Sequence, residues 1–240
     1  MLWTDQIGED IRAVLEQLRI DRCVLLIGHT TAPTSYHVAR QNPSLFSHIA
    51  QLSTCGPIAF DKSSDDRSSW VTGIIRACTS NSAIKGILVR GGVKAWVTIG
   101  TKKFMKLQMS SNPIDAKYAL RTENILESEH ALATATSRGI SDLLKEQALV
   151  FDDWTADIEA VQTDITVIHG CKNKLYSIES VRSLAAAFSN KIDLFEIKNA
   201  GFTVAQSHPD KVIKILRSVV DAQIPVEQSS NSRAIDEAIV

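Results

Sequence analysis

A run of consecutive apolar residues at positions 23–27 constrains the fold of this chain more than any other stretch of its sequence. Gly28 ends the run. The run is too short for a helix, and it lacks the alternation of a strand that has one face in water. A strand of this kind is typical of a parallel sheet that helices cover on both faces. The run therefore predicts a buried strand in a mostly parallel sheet.

Strand-like and helical patterns alternate along much of the remaining chain. Residues 5–19 place apolar side chains on one stripe of a helix, and Pro33 is typical of the first turn of a helix that ends near residue 41. Further strands are predicted at residues 47–53, 165–168 and 192–197, and further helices at residues 178–188 and 209–222. Strands that alternate with helices predict an α/β fold.

The middle of the chain has a different pattern, which divides the sequence into four segments. Helical periodicity recurs between Gly and Ser residues, and strand-like runs are few, so a helical insertion, or cap, is expected there. The expected segments are residues 1–60 (first part of an α/β core), 61–157 (cap), 158–224 (second part of the core) and 225–240 (a mobile C-terminal tail).

Basic residues dominate the first part of this cap. No acidic residue lies between Asp66 and Asp115, where lysines and arginines recur, whereas the following part is rich in acidic residues. The favoured interpretation is a solvated basic face of a subdomain. The alternative is a binding site for an anionic ligand or a membrane surface.

The overall composition excludes several classes of protein. The 240 residues carry 26 lysines and arginines against 27 aspartates and glutamates, without the basic excess of a nucleic-acid-binding protein. No apolar run approaches the ~20 residues that span a bilayer, and no secretory signal is visible. The four cysteines stand apart, and no metal-ligand spacing or glycine-rich nucleotide motif is present. We therefore expect a cytoplasmic protein with free thiols and no cofactor or metal.

The junction between the first strand and the following helix carries a distinctive motif. Gly28-His29-Thr30-Thr31-Ala32 resembles the nucleophile elbow, G-x-S-x-G, of the α/β-hydrolase superfamily, in which a strained turn exposes the nucleophile. Other stretches resemble the cap-containing esterase and lipase branch in the same order, at residues 39–43, 46–53, 153–158, 165–173, 199–202 and 207–210. The resemblance covers nearly the whole chain and implies an α/β-hydrolase fold with a helical cap.

The residues at the three catalytic positions differ from those of the family. Thr30 stands at the nucleophile position, Asn173 at the acid position and Phe202 at the histidine position. Without an imidazole no base takes the hydroxyl proton, and an asparagine lacks the charge that stabilises an imidazolium. The resemblance leaves the backbone N–H of Thr31 as an oxyanion donor. We expect Phe202 to fill the place of the imidazole, near Thr30, and to make the pocket more apolar.

Other residues offer alternative chemistry at the same place. His29, His169 and His208 are conceivable bases for Thr30, although each also matches an ordinary position of the family. Cys55 and Cys171 are expected in loops near the pocket as ordinary buried thiols, since no neighbouring cation is identifiable that lowers their pKa.

The helix at residues 5–19 corresponds to one that several strands precede in the family. The resemblance therefore implies that half of the oxyanion hole is missing and that one edge of the first strand is exposed. Such an edge favours a homo-oligomer or pairing with a partner chain. A truncated gene product, a split protein and a domain-swapped oligomer each explain it.

Three functions are compatible with these features. The favoured hypothesis is a pseudoenzyme with a degenerate catalytic triad, which binds a small apolar ligand beneath the cap or acts as a regulatory module. The second is a weak esterase that uses Thr30 as nucleophile together with a relocated base. The third is an association role, in which the chain completes its sheet with another chain.

Overall fold

A sheet of four parallel strands forms the centre of the computed structural model, which describes residues 3–61, 69–109, 112–137 and 139–223. The strands lie side by side in chain order: β1 (Cys23–Gly28), β2 (Phe46–Leu52), β3 (Ile165–Gly170) and β4 (Ile192–Ile197). Each overlaps a strand predicted from the sequence, and the predicted parallel α/β sheet is confirmed. The tail expected at residues 225–240 lies outside the described residues.

Helices connect the strands and surround the sheet. In chain order they are α1 (Trp3–Leu18), α2 (Ala32–Gln41), α3 (Ser69–Ser80), α4 (Ser82–Ile99), α5 (Thr101–Gln108), α6 (Pro113–Ala119), α7 (Thr122–Thr136), α8 (Ser141–Leu149), α9 (Thr155–Ala160), α10 (Ile178–Ala187), α11 (Val204–Ser207) and α12 (Pro209–Gln223). Helices α3 to α8 follow β2 and occupy the segment predicted as a cap. The short helices α9 and α11 were not predicted.

One face of the sheet forms the larger core together with α1, α2, α9 and α10. Ile27 of β1 and Val167 of β3 belong to this core and are fully buried. Tyr36 of α2 donates a hydrogen bond to Gln51 of β2 at 2.7 Å and stacks on Trp154, with 5.3 Å between the ring centroids. These contacts join α2 both to the sheet and to the segment that returns from the cap.

The opposite face of the sheet packs against α12, which lies over β2 and β3. Ile168 contacts Val212 in this smaller cluster, and β3 is buried along its whole length. Leu26 points to the same face but is 54% exposed, because β1 is the edge strand of the described sheet. The prediction of a strand buried on both faces is therefore wrong for Leu26, although β3 has that character.

The basic stretch of the cap lies on α3, α4 and α5. The side chains of Arg76, Arg90 and the lysines of α5 are exposed, in agreement with a solvated face, and Arg67 lies outside the described residues. Lys85 is partly buried and forms an ion pair with Asp152, in the segment that leads back to the core.

Within the described ranges, no helix is long and apolar enough to cross a membrane.

Candidate active site

A cavity of about 540 Å³ lies between the cap and the edge of the sheet where the strands end. Parallel strands bring the loops that follow them to this one edge. The core supplies Thr30 and Thr31 after β1, Cys55 after β2, Tyr176 before α10 and Phe202 after β4. Helices α3, α4, α5, α7 and α8 close the cavity with mostly apolar side chains. Its volume is within the range of about 300–1,000 Å³ for sites that bind small molecules.

Thr30 presents its hydroxyl to the cap rather than to a base. The side-chain amide of Gln147, on α8, donates a hydrogen bond to Thr30 Oγ1 at 3.0 Å. The neighbouring Thr31 hydroxyl donates to the carbonyl of Gly28 at 2.7 Å. The Thr30 hydroxyl is therefore engaged by an N–H donor, which cannot accept a proton from it.

Asn173 stabilises the loop in which it lies. Its Oδ1 accepts hydrogen bonds from the backbone N–H groups of Leu175 at 2.9 Å and Tyr176 at 3.1 Å. The side chain is buried, and its Nδ2 has no hydrogen-bond partner among the described residues. Asn173 does not line the cavity. Asn173 thus holds the turn before α10 through neutral hydrogen bonds.

Phe202 forms part of an apolar corner of the cavity. Its ring is tilted against that of Tyr176, with 6.0 Å between centroids, and it packs against a cluster that contains Met109 and Leu175. Thr30 lines the same cavity. Phe202 therefore contributes apolar surface to the pocket.

The structure keeps two of the three candidate histidines away from the cavity wall. His169 is fully buried near the end of β3, where Nε2 lies 3.0 Å from the carbonyl oxygen of Tyr176. His208 precedes α12 and contacts the hydroxyl of Ser207 at 2.9 Å. The side chain of His29 lies outside what the structure describes. No histidine with a described side chain lines the cavity.

The two candidate cysteines have raised rather than lowered pKa values. Burial raises the pKa of the Cys55 thiol, which lines the cavity, to about 12. Cys171 is only partly buried and is not on the cavity wall, contrary to expectation. Partial burial and the nearby carboxylate of Glu196 raise the pKa of Cys171, although Arg182 acts in the opposite direction. Neither thiol has the environment of a reactive thiolate.

Several solved structures are similar to this chain in fold. The crystal structure of an E-2-(acetamidomethylene)succinate hydrolase matches with a TM-score of 0.57 and 13% identity, over 91% of this chain and 74% of the other. An epoxide hydrolase from Bacillus megaterium matches with a TM-score of 0.55 and 14% identity, over 91% and 76%. A carboxylesterase structure from Nitrososphaera gargenis matches with a TM-score of 0.58 and 13% identity, over 92% and 72%. The chain has the α/β-hydrolase fold. No protein-family model matches it, and neither does any curated protein sequence.

The turn after β1 departs from the elbow that the α/β-hydrolase resemblance implied. A short 3₁₀ turn, His29–Thr31, joins β1 to α2. The non-glycine residues with positive φ in the described chain are Arg19 and Ser53, so Thr30 is not in the left-handed conformation. The backbone strain expected at Thr30 is therefore not present, and its β-branched side chain is accommodated there without that cost.

A buried carboxylate joins the cap of this α/β-hydrolase fold to two core loops. Asp115, on α6, accepts hydrogen bonds from the backbone N–H of Thr203 at 2.7 Å and from its hydroxyl at 2.9 Å. Asn112 also donates to the Asp115 carboxylate, and it donates to the carbonyl of Lys172 at 2.9 Å. A Cβ atom at Gly201 would overlap this carboxylate, so a larger residue at this position would displace Asp115 from its donors.

This polar connection was not predicted from the sequence. Asn112 followed by Pro113 is a local pattern for the start of a helix, and Asn112 does accept a hydrogen bond from the N–H of Ile114 at 3.2 Å. The partner of Asp115, Thr203, lies far along the chain in the loop after β4. No local pattern indicates that contact.

Replacing Asp115 with asparagine is expected to lower the free energy of unfolding by about 1–3 kcal/mol, because an amide directs N–H donors at the donors of Thr203 and Asn112. Unfolding in urea measures this change. Asp142→Asn is a matched control, since Asp142 is exposed on α8, and it should change stability by less than about 0.5 kcal/mol. Equal stability of the two variants would contradict the role assigned to Asp115.

The stability of the chain is expected to fall as the pH decreases from about 6.5 to 4. Burial lowers the pKa of His169 from its ordinary value of 6.5 to about 4, although Glu196 and Glu179 act in the opposite direction. Between these values the unfolded chain binds a proton that the folded chain excludes, which lowers stability by up to about 3 kcal/mol.

Urea unfolding at several pH values, compared between the native chain and His169→Gln, measures this contribution. The variant should show a smaller decrease in unfolding free energy between pH 6.5 and 4, whatever its stability at pH 7. An identical pH dependence in both chains would show that His169 is not the titrating group.

Proposed function

We propose that the chain is an α/β-hydrolase-like protein without hydrolase activity, and that its cavity binds a small apolar molecule as a binding or regulatory module. One observation carries the proposal. The cavity has an apolar wall of small-molecule size, while the hydroxyl at its nucleophile position is held by Gln147. The site is thus suited to hold a ligand and poorly suited to attack one.

Nucleophilic attack by Thr30 requires a base within hydrogen-bond distance of its hydroxyl. The hydrogen bond seen at Thr30 Oγ1 comes from the Gln147 amide, which is not a base at any physiological pH. Burial keeps His169 neutral, but its described contact is with the carbonyl of Tyr176. These contacts support the proposal that no base takes the proton of the Thr30 hydroxyl, as ester hydrolysis would require.

The other two catalytic positions support the same conclusion. Asn173 uses its oxygen to accept backbone hydrogen bonds, and Phe202 packs into an apolar cluster. The members of a catalytic triad act as a unit, so replacing several of them removes the mechanism rather than a fraction of it. We therefore propose that the triad is degenerate.

The structural neighbours support a small molecule as the ligand. The three compared above are named as hydrolases of small compounds or of esters and epoxides, and this chain shares their fold. A shared fold does not by itself establish a shared activity. A capped cavity of about 540 Å³ in the same fold is the feature that we propose has been retained.

Filling the cavity is expected to weaken ligand binding. A Cβ atom at Gly92, on the cavity wall, meets no atom within 4 Å, so Gly92→Phe places a ring there without a backbone clash. We expect the native chain to bind the neutral apolar dye Nile red, and the variant to bind it about tenfold more weakly. Dye fluorescence titration measures both affinities.

Gly91→Phe is the matched control. Gly91 is the preceding residue of α4, is equally free of neighbours and does not line the cavity, so this variant should bind the dye like the native chain. Equal binding by all three chains would contradict the proposed site.

The esterase alternative is tested on the same protein by mass spectrometry with a fluorophosphonate. A covalent adduct at Thr30 that is absent in Thr30→Ala would establish a reactive nucleophile and refute the pseudoenzyme hypothesis.

The edge strand supports a second candidate function, which is self-association. Within the described sheet β1 pairs with β2 alone, and Leu26 of β1 is 54% exposed. Leu18 and Ile20, in the segment that leads into β1, are 61% and 43% exposed. An unpaired edge with apolar neighbours favours pairing with the same edge of a second copy about a twofold axis.

We expect light scattering at micromolar concentration to show a dimer of the native chain. Leu26→Lys should shift it to the monomer, because a lysine on an edge strand opposes pairing. Ile213→Lys, on the exposed side of α12, is the control and should remain dimeric. A native chain that is monomeric under these conditions would contradict self-association.

A further inference from the structure

One ionisable side chain on the cavity wall has no role in the arrangement described so far. Glu146 lies on α8, next to Gln147, and lines the cavity. Its carboxylate has no hydrogen-bond or ion-pair partner among the described residues, and burial raises its pKa. Burying a carboxylate in an apolar cavity costs free energy unless a charged or hydrogen-bonding partner compensates it.

The described part of the cavity wall contributes no positive charge. No described lysine, arginine or histidine side chain lines the cavity, whereas Glu146 does. Lys85, on α4, is paired with Asp152 and is not part of the wall. Glu146 therefore has no cationic partner on the described wall.

Aromatic rings border the same space in two pairs. Trp96 stacks on Phe104 with 5.4 Å between centroids, and Tyr176 contacts Phe202 at 6.0 Å. All four rings line the cavity. The faces of aromatic rings attract cations, and recognition of ammonium groups commonly combines such rings with a carboxylate.

We infer that the cavity binds a molecule with an apolar body and a positively charged ammonium group, and that Glu146 is the counter-ion of that group. This inference rests on the proposed binding function and adds the chemical class of the ligand. A cation removes the cost of a partly buried, unpaired carboxylate, and the apolar wall accommodates the remainder of the molecule.

The other ligand classes fit the wall less well. An anionic ligand such as a fatty acid would bring a further negative charge into a cavity that already contains Glu146. A neutral apolar ligand would fill the space and exclude water from Glu146 without compensating its charge. A cation is the class for which both the charge and the apolar surface of the cavity are favourable.

Three probes with the same apolar chain separate these classes: octyltrimethylammonium, octanol and octanoate. We expect calorimetric titration of the native chain to show octyltrimethylammonium binding at least about tenfold more tightly than octanol, with octanoate weakest. Glu146→Gln should reduce the affinity for octyltrimethylammonium to that for octanol and leave the affinity for octanol unchanged.

Asp142→Asn provides the matched control, since it removes one negative charge from the exposed side of the same helix. It should leave the preference for the ammonium probe intact. Equal affinity for octyltrimethylammonium and octanol, tightest binding of octanoate, or an ammonium preference that survives in Glu146→Gln would each overturn the inference while the binding function stands. If neither Nile red nor any of the three probes binds, the proposed binding function itself fails.

Discussion

The four strands of the sheet run parallel, and the position of the site depends on that pairing. Because the strands share one direction, the segments that follow them emerge at one edge, where residues far apart in the chain meet. Thr30 follows β1, Cys55 follows β2 and Phe202 follows β4, and all three line the same cavity. The cap is inserted between β2 and β3, so it covers this edge while the strand pairing continues beneath it.

The cap covers a sizeable cavity, so its position cannot depend on close packing alone. The carboxylate of Asp115 supplies a directional attachment, since it binds the loop after β4, while Asn112 binds the carbonyl of Lys172 after β3. A buried carboxylate is costly when unpaired, so a shift of α6 away from these donors is strongly disfavoured. Three neutral donors replace the solvation that the carboxylate loses, and one orientation of α6 is thereby selected.

The sequence allowed the sheet to be predicted well because its strands are local apolar runs. The exposure of Leu26 was not predictable from the same run, since it depends on which elements lie beside β1. Resemblance to a family brought Thr30 and Phe202 to one pocket, as the structure does. The contact of Asp115 with Thr203 and the position of Glu146 on the cavity wall depend on how the cap packs on the core, which helical periodicity does not indicate.

The proposed lack of hydrolysis and the proposed binding of a cation depend on adjacent residues of one helix. Gln147 engages the hydroxyl of Thr30, and Glu146 lines the same cavity. Acyl transfer develops a negative oxyanion, which an active site stabilises with hydrogen-bond donors and positive potential. A carboxylate without a described partner has the opposite effect on that intermediate and attracts an ammonium group. The electrostatics of the cavity thus favour holding a cation over stabilising the transition state of ester hydrolysis.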